Sequence, residues 1–193
     1  KQFQKPIMGI HIGGLGFLSV CREDGLAKSI RSILDKEYEI SNRMLLELII
    51  EYDEKRDHYW ALNDIVIDHG PLARIIKIKV DVSDNYLNTY EGDGLIISSP
   101  TGSTAYSLSA GGPIIFPALE SITVTPICSH SLSARSIVLN SKEKIKLKFI
   151  DLFEDASVSI DGQIRKGINK ETTVKIIRSK HNAKLINLIE NDS

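Results

Sequence analysis

Repeated alternation of apolar and polar residues constrains this fold more than any other feature of the chain. Ile76–Val82 and Ile145–Phe149 carry an apolar side chain at every second position, and Val158–Ile160 and Val174–Ile176 are shorter runs of the same kind. Because successive side chains of a strand point to opposite faces, each run predicts a strand with one buried and one solvated face. Strands of this kind form sheets that pack face to face.

The remaining segments predict one helix and several further strands. Leu26, Ile30, Ile33 and Leu34 share one face of a predicted helix, which is the one long helical pattern in the chain. Further strands are predicted at Pro6–Ile10, Met44–Tyr52, Tyr59–Ile67, Leu95–Ser98 and Ile122–Cys128. The predicted fold class is mainly β or α+β, with two packed sheets that follow the end of an α/β unit.

Composition limits the class of protein. The 193 residues, 42% of them hydrophobic, suffice for one substantial core, and the net charge of −1 gives no electrostatic support for a nucleic-acid or anionic-membrane surface. The two cysteines and five histidines lack the spacing of a disulfide framework or a zinc site, so no metal site is predicted. A reducing cytoplasm is the expected location.

The segment that begins at Asp93 has the layout of a nucleotide site. Pro100 ends its apolar strand because proline has no N–H for the ladder, and Thr101–Thr104 then precede a helix predicted over Ala105–Ala110. The free N–H groups of the first helical turn would lie beside three hydroxyls and Gly102, a residue that would let a ligand come close.

The chemistry of this segment suits a neutral group better than a triphosphate. It has no lysine like the one in a Walker A loop. Its hydroxyls and amides can bond ribose or base edges, the ring of Tyr106 can stack on a base, and Asp93 can accept bonds from ribose hydroxyls. The alternative is a strand-to-helix connection whose polar residues only cap the helix.

Five motifs, in order, resemble those of the NAD kinase family. The resemblance extends over nearly the whole chain, from about Pro6 to Gln163. They are the Leu-Gly-Phe turn in Gly13–Leu18, the Asn-acidic motif in Ala61–Ile67, the Asp-Gly and Pro-Thr-Gly-Ser-Thr-Ala-Tyr-Ser-Leu-Ser-Ala-Gly-Gly-Pro signature in Gly92–Pro117, the Pro-Ile-Cys-x-His segment in Pro126–Arg135, and Asp161-Gly162-Gln163.

The resemblance implies a reaction and an organisation. The reaction is transfer of the γ-phosphoryl group of ATP, or of a phosphoryl group of polyphosphate, to the 2′-hydroxyl of the adenosine ribose of NAD, with Mg²⁺ on the donor phosphates. The family's catalytic aspartate, in a Gly-Gly-Asp-Gly-Thr motif, is expected before Lys1. No catalytic residue is therefore expected in this chain, which would supply the NAD acceptor site and have little or no activity alone.

The same resemblance implies three parts of the chain and an oligomer. Residues 1–40 would end an α/β nucleotide-binding domain, 41–180 would form the family's NAD-binding β-sandwich, and 181–193 would be a tail that returns toward the first domain. A homodimer or homotetramer is expected, with Asp93 near the subunit boundary.

The residues that would hold NAD are also implied by the resemblance. Asn63 would contact the adenine and Asp64 the ribose, although Asp64 has a shorter arm than the glutamate of many relatives. The expected substrate-binding residues are Phe17, Asn63, Asp64, Asp93, Thr101, Thr104, Ala105, Tyr106 and Ser109, with His130, Asp161 and Gln163 at the edge of the site.

Each assignment has a structural alternative. Asp93 would be a turn residue between two glycines, Phe17 part of the core, His130 a buried and hydrogen-bonded side chain, and Asp161 a hairpin-turn residue. The polar pair Asn63-Asp64, within a predicted apolar strand, requires either a ligand or a hydrogen-bond network. For the whole chain, the alternatives are a non-catalytic dinucleotide-binding or regulatory module and, more weakly, a lipid kinase of related architecture.

Overall fold

The computed structural model describes residues 5–12, 18–19, 21–52, 55–70, 74–131, 134–152 and 156–189. Its strands, numbered in chain order, are β1 Ile10–His11, β2 Cys21–Arg22, β3 Tyr38–Tyr52, β4 Lys55–Ala61, β5 Asp64–Asp68, β6 Ile76–Val82, β7 Asn85–Gly92, β8 Gly94–Ser98, β9 Ser121–Ile127, β10 Ile137–Asn140, β11 Ile145–Asp151, β12 Ser157–Ile160, β13 Ile164–Gly167 and β14 Thr173–Leu188. The helices are α1 Leu26–Leu34 and α2 Tyr106–Ser109, with 3₁₀ turns at Glu23–Gly25 and Thr101–Thr104.

The chain divides into two compact units. One comprises Lys1–Arg43 and His181–Ser193, and the other Met44–Lys180. The division falls inside β3 and β14, so no break in secondary structure marks the boundary. β14 also continues the predicted strand Val174–Ile176 into the tail without interruption.

The smaller unit contains α1 and a parallel pair formed by β1 and β2. The bounds of α1 confirm the predicted helix. The predicted strand Pro6–Ile10 is interrupted: Ile7 forms an isolated parallel bridge to Leu185, and Ile10 alone of that run belongs to β1. The bridge is held by bonds from the Ile7 N–H to the Lys184 oxygen at 2.8 Å and from the Ile186 N–H to the Ile7 oxygen at 2.9 Å.

The larger unit is built on two six-stranded sheets. One has the order β10-β9-β8-β5-β12-β13 and the other β4-β3-β14-β11-β6-β7. Their apolar side chains form one core that includes Leu46 and Leu48 of β3, Ile65 of β5, Ile97 of β8 and Leu147 of β11, each fully buried. The predicted β-sandwich is confirmed.

The alternating runs fold as predicted. In the alternating parts of β6 and β11 the apolar residues from Ile76 to Val80 and from Ile145 to Phe149 are buried, while the lysines between them are partly or fully exposed. On the solvated face Lys77 pairs with Glu91 at 2.9 Å and Lys79 with Asp81 at 3.2 Å.

Among the residues that the structure describes, no helix is long and apolar enough to cross a membrane.

The predicted strand Tyr59–Ile67 is wrong in one respect that matters for the site. It is two strands in different sheets: β4 ends at Ala61 beside β3, and β5 begins at Asp64 between β8 and β12. Leu62 and Asn63 carry the chain from one sheet to the other. The pair Asn63-Asp64 therefore lies at a change of sheet, where its polar groups are outside a regular ladder.

Core packing in the sandwich predicts a large effect for Ile97→Ala. This fully buried residue lies on β8, between β5 and β9, so truncation leaves a cavity and should lower the free energy of unfolding by about 3 kcal/mol. The control is Val138→Ala on the edge strand β10, where the side chain is 47% exposed. Urea unfolding measures both, and equal losses would contradict this packing.

Candidate functional site

The segment Leu62–Asp64, where the chain passes from one sheet to the other, is held by the carboxylate of Asp161. Its two oxygens accept bonds from three consecutive backbone N–H groups, those of Leu62 at 2.7 Å, Asn63 at 2.7 Å and Asp64 at 3.0 Å. The N–H of Asp161 in turn donates to the Asp64 oxygen at 3.0 Å. Bonds to a carboxylate are stronger than bonds to a neutral acceptor, so this side chain fixes the backbone of Asn63-Asp64.

Asp161 also occupies the turn that its sequence predicted. With Gly162 and Gln163 it joins β12 to β13, at a φ of 48° for Asp161 and 63° for Gly162. Both values lie in the left-handed region that aspartate and glycine tolerate. The turn and the hydrogen bonds together make Asp161 a residue that positions its neighbours.

The loop after β8 docks on the same segment. Ser99 donates from its N–H to the Asn63 oxygen at 2.9 Å and from its hydroxyl to the Leu62 oxygen at 2.5 Å. A Cβ on Gly102 would lie 2.0 Å from the Asn63 oxygen. The glycine is therefore required by the close approach of the Asn63 backbone, which corrects the expectation that it makes room for a ligand.

The predicted helix Ala105–Ala110 is shorter than expected. Thr101–Thr104 form a 3₁₀ turn, Ala105 departs from helical geometry with ψ −131°, and only Tyr106–Ser109 is α-helical. The reason is local bonding: the buried Ser103 hydroxyl donates to the Pro100 oxygen at 2.7 Å and accepts from the Ile115 N–H at 3.0 Å. Pro100 and Ala105, at the N-termini of the two helical turns, make no side-chain cap bond, but the Ser99 hydroxyl accepts from the Gly102 N–H of the first turn at 3.1 Å. The structural alternative for the polar residues of this connection therefore stays open.

The loop presents its predicted residues to different degrees. Thr101 is buried, Thr104 and Ala105 are half-buried, and Ser109 is exposed. The Tyr106 side chain is 48% exposed and can offer its ring to a ligand. These residues lie in the same loop that Gly102 anchors against Asn63.

The backbone of Asp93 is confined between two strands. A Cβ on Gly94 would lie 2.2 Å from the Ile67 oxygen, and one on Gly92 would lie 2.8 Å from the Ile127 oxygen. The Asp93 N–H donates to the Ile127 oxygen at 3.0 Å. The two flanking glycines thus allow β5 and β9 to hold Asp93 at one position.

Asp93 and Tyr106 line one cleft of about 620 Å³. Three further polar side chains among the described residues line it, those of Asp68, His69 and Arg165, and none of them was predicted from the sequence. Arg165 pairs with Asp68, and its Nε donates to the Ser157 hydroxyl at 2.7 Å. The sequence pointed to Asp68 and His69 only through the polar run Asp68-His69-Gly70 that follows an apolar segment. It gave no sign of Arg165, which lies on a strand far along the chain.

One carboxylate and one thiol at this site have a raised pKa. Asp64 is 5% exposed, and burial, with a smaller contribution from the charge of Asp161, raises its pKa to about 6. Hydrogen bonding to the Asp93 carboxylate raises the pKa of the Cys128 thiol. The Asp64 carboxyl is therefore protonated at a higher pH than an ordinary aspartate. It lies where the chain passes from one sheet to the other.

The remaining predicted residues are less closely tied to this cluster. His130 is exposed, with its N–H bonded to the Glu91 oxygen at 2.9 Å, so the alternative of a buried side chain is wrong. Gln163 is exposed in the β12–β13 turn. Phe17 lies outside the described residues. Within the described part of the chain, no three His, Cys, Asp or Glu side chains are grouped to hold a metal.

Comparisons with known sequences agree on one family. Residues 62–188 match the model of the ATP-NAD kinase C-terminal domain. The NAD kinase of Clostridium botulinum strain Loch Maree is 40% identical over 191 residues, which are 99% of this chain and 68% of the relative. That of Clostridium beijerinckii is 43% identical over 184 residues, 95% of this chain and 65% of the relative. The chain thus spans about two thirds of the length of these relatives.

Two solved structures are similar in fold. The crystal structure of yeast NADH kinase complexed with NADH has a TM-score of 0.91 and 27% identity, and covers 98% of this chain and 56% of that chain. The crystal structure of an NAD kinase from Archaeoglobus fulgidus in complex with ATP has a TM-score of 0.78 and 26% identity. The match covers 93% of this chain and 68% of that chain.

We predict that Asp161→Asn lowers the free energy of unfolding by about 2 kcal/mol, because a neutral amide cannot replace a carboxylate that accepts from three N–H groups. Asp84→Asn is the matched control, since Asp84 is an exposed turn residue with φ 66°. Asparagine tolerates the left-handed region, so the pair isolates the carboxylate. Chemical unfolding measures both, and equal effects would count against the role of Asp161.

The raised pKa of Asp64 predicts that the free energy of unfolding depends on pH. Because its pKa is raised in the folded protein, the folded state holds the proton more tightly, and stability falls as pH rises from about 4 through about 6, by at most about 3 kcal/mol. Asp64→Asn cannot titrate, so its stability relative to the parent should increase across that range. Thermal unfolding at several pH values measures this, and parallel curves for parent and variant would exclude it.

Proposed function

The chain belongs to the NAD kinase family, as its motifs predicted, and we propose that it forms the NAD acceptor site for phosphoryl transfer from ATP to the 2′-hydroxyl of the adenosine ribose. The observation that carries this proposal is the fixed pair Asn63-Asp64. Asp161 and Ser99 hold its backbone, and the loop that carries Tyr106 lies against it. Phosphoryl transfer depends mainly on such positioning.

Asn63 and Asp64 have complementary parts in this proposal. The N–H and the carbonyl of Asn63 are both bonded within the protein, so its side-chain amide is the group left to pair with the edge of the adenine. Asp64 accepts from the ribose hydroxyls, and a pKa of about 6 leaves it mostly ionised at neutral pH. Because Asp64 is 5% exposed, only a small part of this residue is accessible to a ligand.

The loop supplies the rest of the proposed acceptor site. The half-exposed ring of Tyr106 stacks on a base, and the side chains of Thr101, Thr104 and Ser109, with the backbone of Ala105, contact the ribose and phosphates. Phe17 as part of the pocket wall stays a prediction.

The donor half of the reaction is also a proposal. The 193 residues contain no Gly-Gly-Asp-Gly-Thr motif, so the catalytic aspartate is not assigned to this chain. ATP or polyphosphate would be the donor, with Mg²⁺ carried on its phosphates. The archaeal relative was solved in complex with ATP.

A non-catalytic dinucleotide-binding module is the alternative, and the same acceptor site would serve it. Whether the encoding gene carries a Gly-Gly-Asp-Gly-Thr motif ahead of Lys1 distinguishes the two. A homodimer or homotetramer with Asp93 near the boundary, and a cytoplasmic location, stay predictions.

Binding of NAD is the test of the acceptor site. NAD at a hundred times its dissociation constant should add about 2.7 kcal/mol to the free energy of unfolding. Tyr106→Ala should weaken binding roughly tenfold through loss of stacking. Tyr86→Ala on β7, where the side chain is 60% exposed, is the control and should bind as the parent does. Absence of stabilisation of the parent by NAD and by NADP would overturn the proposal.

A further inference from the structure

Two consecutive serines, one at the end of β8 and one directly after it, differ in their hydrogen bonding. The Ser99 hydroxyl donates to the Leu62 oxygen and accepts from the Gly102 N–H at 3.1 Å. The Ser98 side chain is completely buried, and its hydroxyl has no hydrogen-bond partner among the described residues. Because an unpaired hydroxyl in the interior lowers stability, its presence at this position requires a reason.

Ser98 lies directly opposite Asp64 in the pairing of β8 with β5. The adjacent residues Ile65 and Ile97 belong to the core between the sheets, so Asp64 and Ser98 share the opposite face of their sheet. Since the backbone bond between the two strands falls one residue outside this pair, it is a non-hydrogen-bonded pair with Cβ atoms roughly 5 Å apart. This spacing suits one hydrogen bond between a hydroxyl and a carboxylate.

The environment of Asp64 disfavours its charged form. Burial and the charge of Asp161 are the two influences on its protonation, and both raise its pKa. The loop 99–112, which packs on this face of the sheet through the Ser107–Thr125 hydrogen bond of 3.1 Å, has no charged residue in its sequence. A donor from within the protein would therefore favour the ionised carboxylate, which is the form that accepts from a ribose hydroxyl.

We propose that Ser98 is a positioning residue of the acceptor site, whose hydroxyl donates to one oxygen of the Asp64 carboxylate when the ribose of NAD donates to the other. Reaching that oxygen requires a change of one side-chain rotamer. An ionised carboxylate has about four acceptor positions, so it can accept from Ser98 and from ribose hydroxyls together. The proposal rests on the acceptor function described above and adds a residue that acts through Asp64, since Ser98 is completely buried.

Removal of the Ser98 hydroxyl should weaken NAD binding, because hydrogen bonds to an ionised carboxylate are the stronger kind. Ser98→Ala should raise the dissociation constant of NAD roughly tenfold in calorimetry. The matched control is Ser141→Ala, which also removes a buried, unpaired hydroxyl, next to β10 and three strands away from β5. It should bind NAD as the parent does, and both variants should fold because neither loses a hydrogen bond.

A double-mutant cycle separates positioning from a general structural effect. If Ser98 acts through the Asp64 carboxylate, Ser98→Ala should have no effect on the dissociation constant of NAD when Asp64→Asn is already present.

The pH dependence of binding gives a second readout that a structural role would not change. In the parent, NAD affinity should fall roughly tenfold from about pH 7.5 to about pH 5, because Asp64 then takes up a proton in the free protein but stays ionised in the complex. The fall should be smaller in Ser98→Ala, whose complex holds the charged form less strongly. Ser141→Ala should follow the parent, and Asp64→Asn should lose this dependence.

Three results would overturn the inference. They are parental NAD affinity in Ser98→Ala, an equal loss of affinity in the Asp64→Asn background, and a parental pH dependence in Ser98→Ala. In each case the acceptor site itself would stand, because the parent binds NAD. Failure of the parent to bind NAD would instead overturn the proposed function, and this inference with it.

A crystal structure of the parent with NAD decides the matter if Ser98→Ala does not fold or Asp64→Asn binds too weakly to measure. The Ser98 Oγ should then lie within about 3 Å of an Asp64 carboxylate oxygen. A Ser98 hydroxyl still unpaired beside a bound ribose would contradict the proposal.

Discussion

The rest of the candidate site depends on the hydrogen bonds that the Asp161 carboxylate accepts from Leu62, Asn63 and Asp64. A chain that leaves one sheet and enters another has backbone groups outside both ladders, and buried groups of this kind must find partners. Asp161 satisfies the donors, and Ser99 satisfies the carbonyls of Leu62 and Asn63. A hairpin, a change of sheet and the loop after β8 are thereby joined at one point.

The strand that begins at this point sets the spacing of the proposed ligand contacts. Asp64 begins β5, directly after Asn63, and Asp68 ends it, directly before His69; the five residues of the strand span roughly 13 Å. The strand is central and almost wholly buried, so it cannot stretch or bend to suit a ligand. The tight contacts of Gly94 and Gly102 fix the neighbouring loops to the same strand.

Much of the fold was predictable because its signals are local. Alternation in β6 and β11 and the apolar run of β8 gave the two sheets, and the motif residues Asn63, Asp64 and Asp161 lie together in the structure. The passage from one sheet to the other within Tyr59–Ile67 was missed because an apolar run does not show which strand each half of it will pair with. The Asp68–Arg165 pair and the Asp161 bonds join positions almost a hundred residues apart, and no periodicity reports such pairs. The role of Gly102 was misread because its neighbour, Asn63, is close only in the fold.

The most direct test of the proposed site is an NMR titration of the chain with NAD that follows its backbone amides. The largest shifts should occur at both ends of β5 and in the loop that carries Tyr106, with amides at Asn63, Asp64, His69 and Asp93 moving together at one stoichiometry. A second cleft lies on the other sheet and is lined by side chains that include Lys144, Lys146 and Lys175. Shifts centred on those lysines, with the β5 amides unmoved, would show that the acceptor site has been assigned to the wrong sheet.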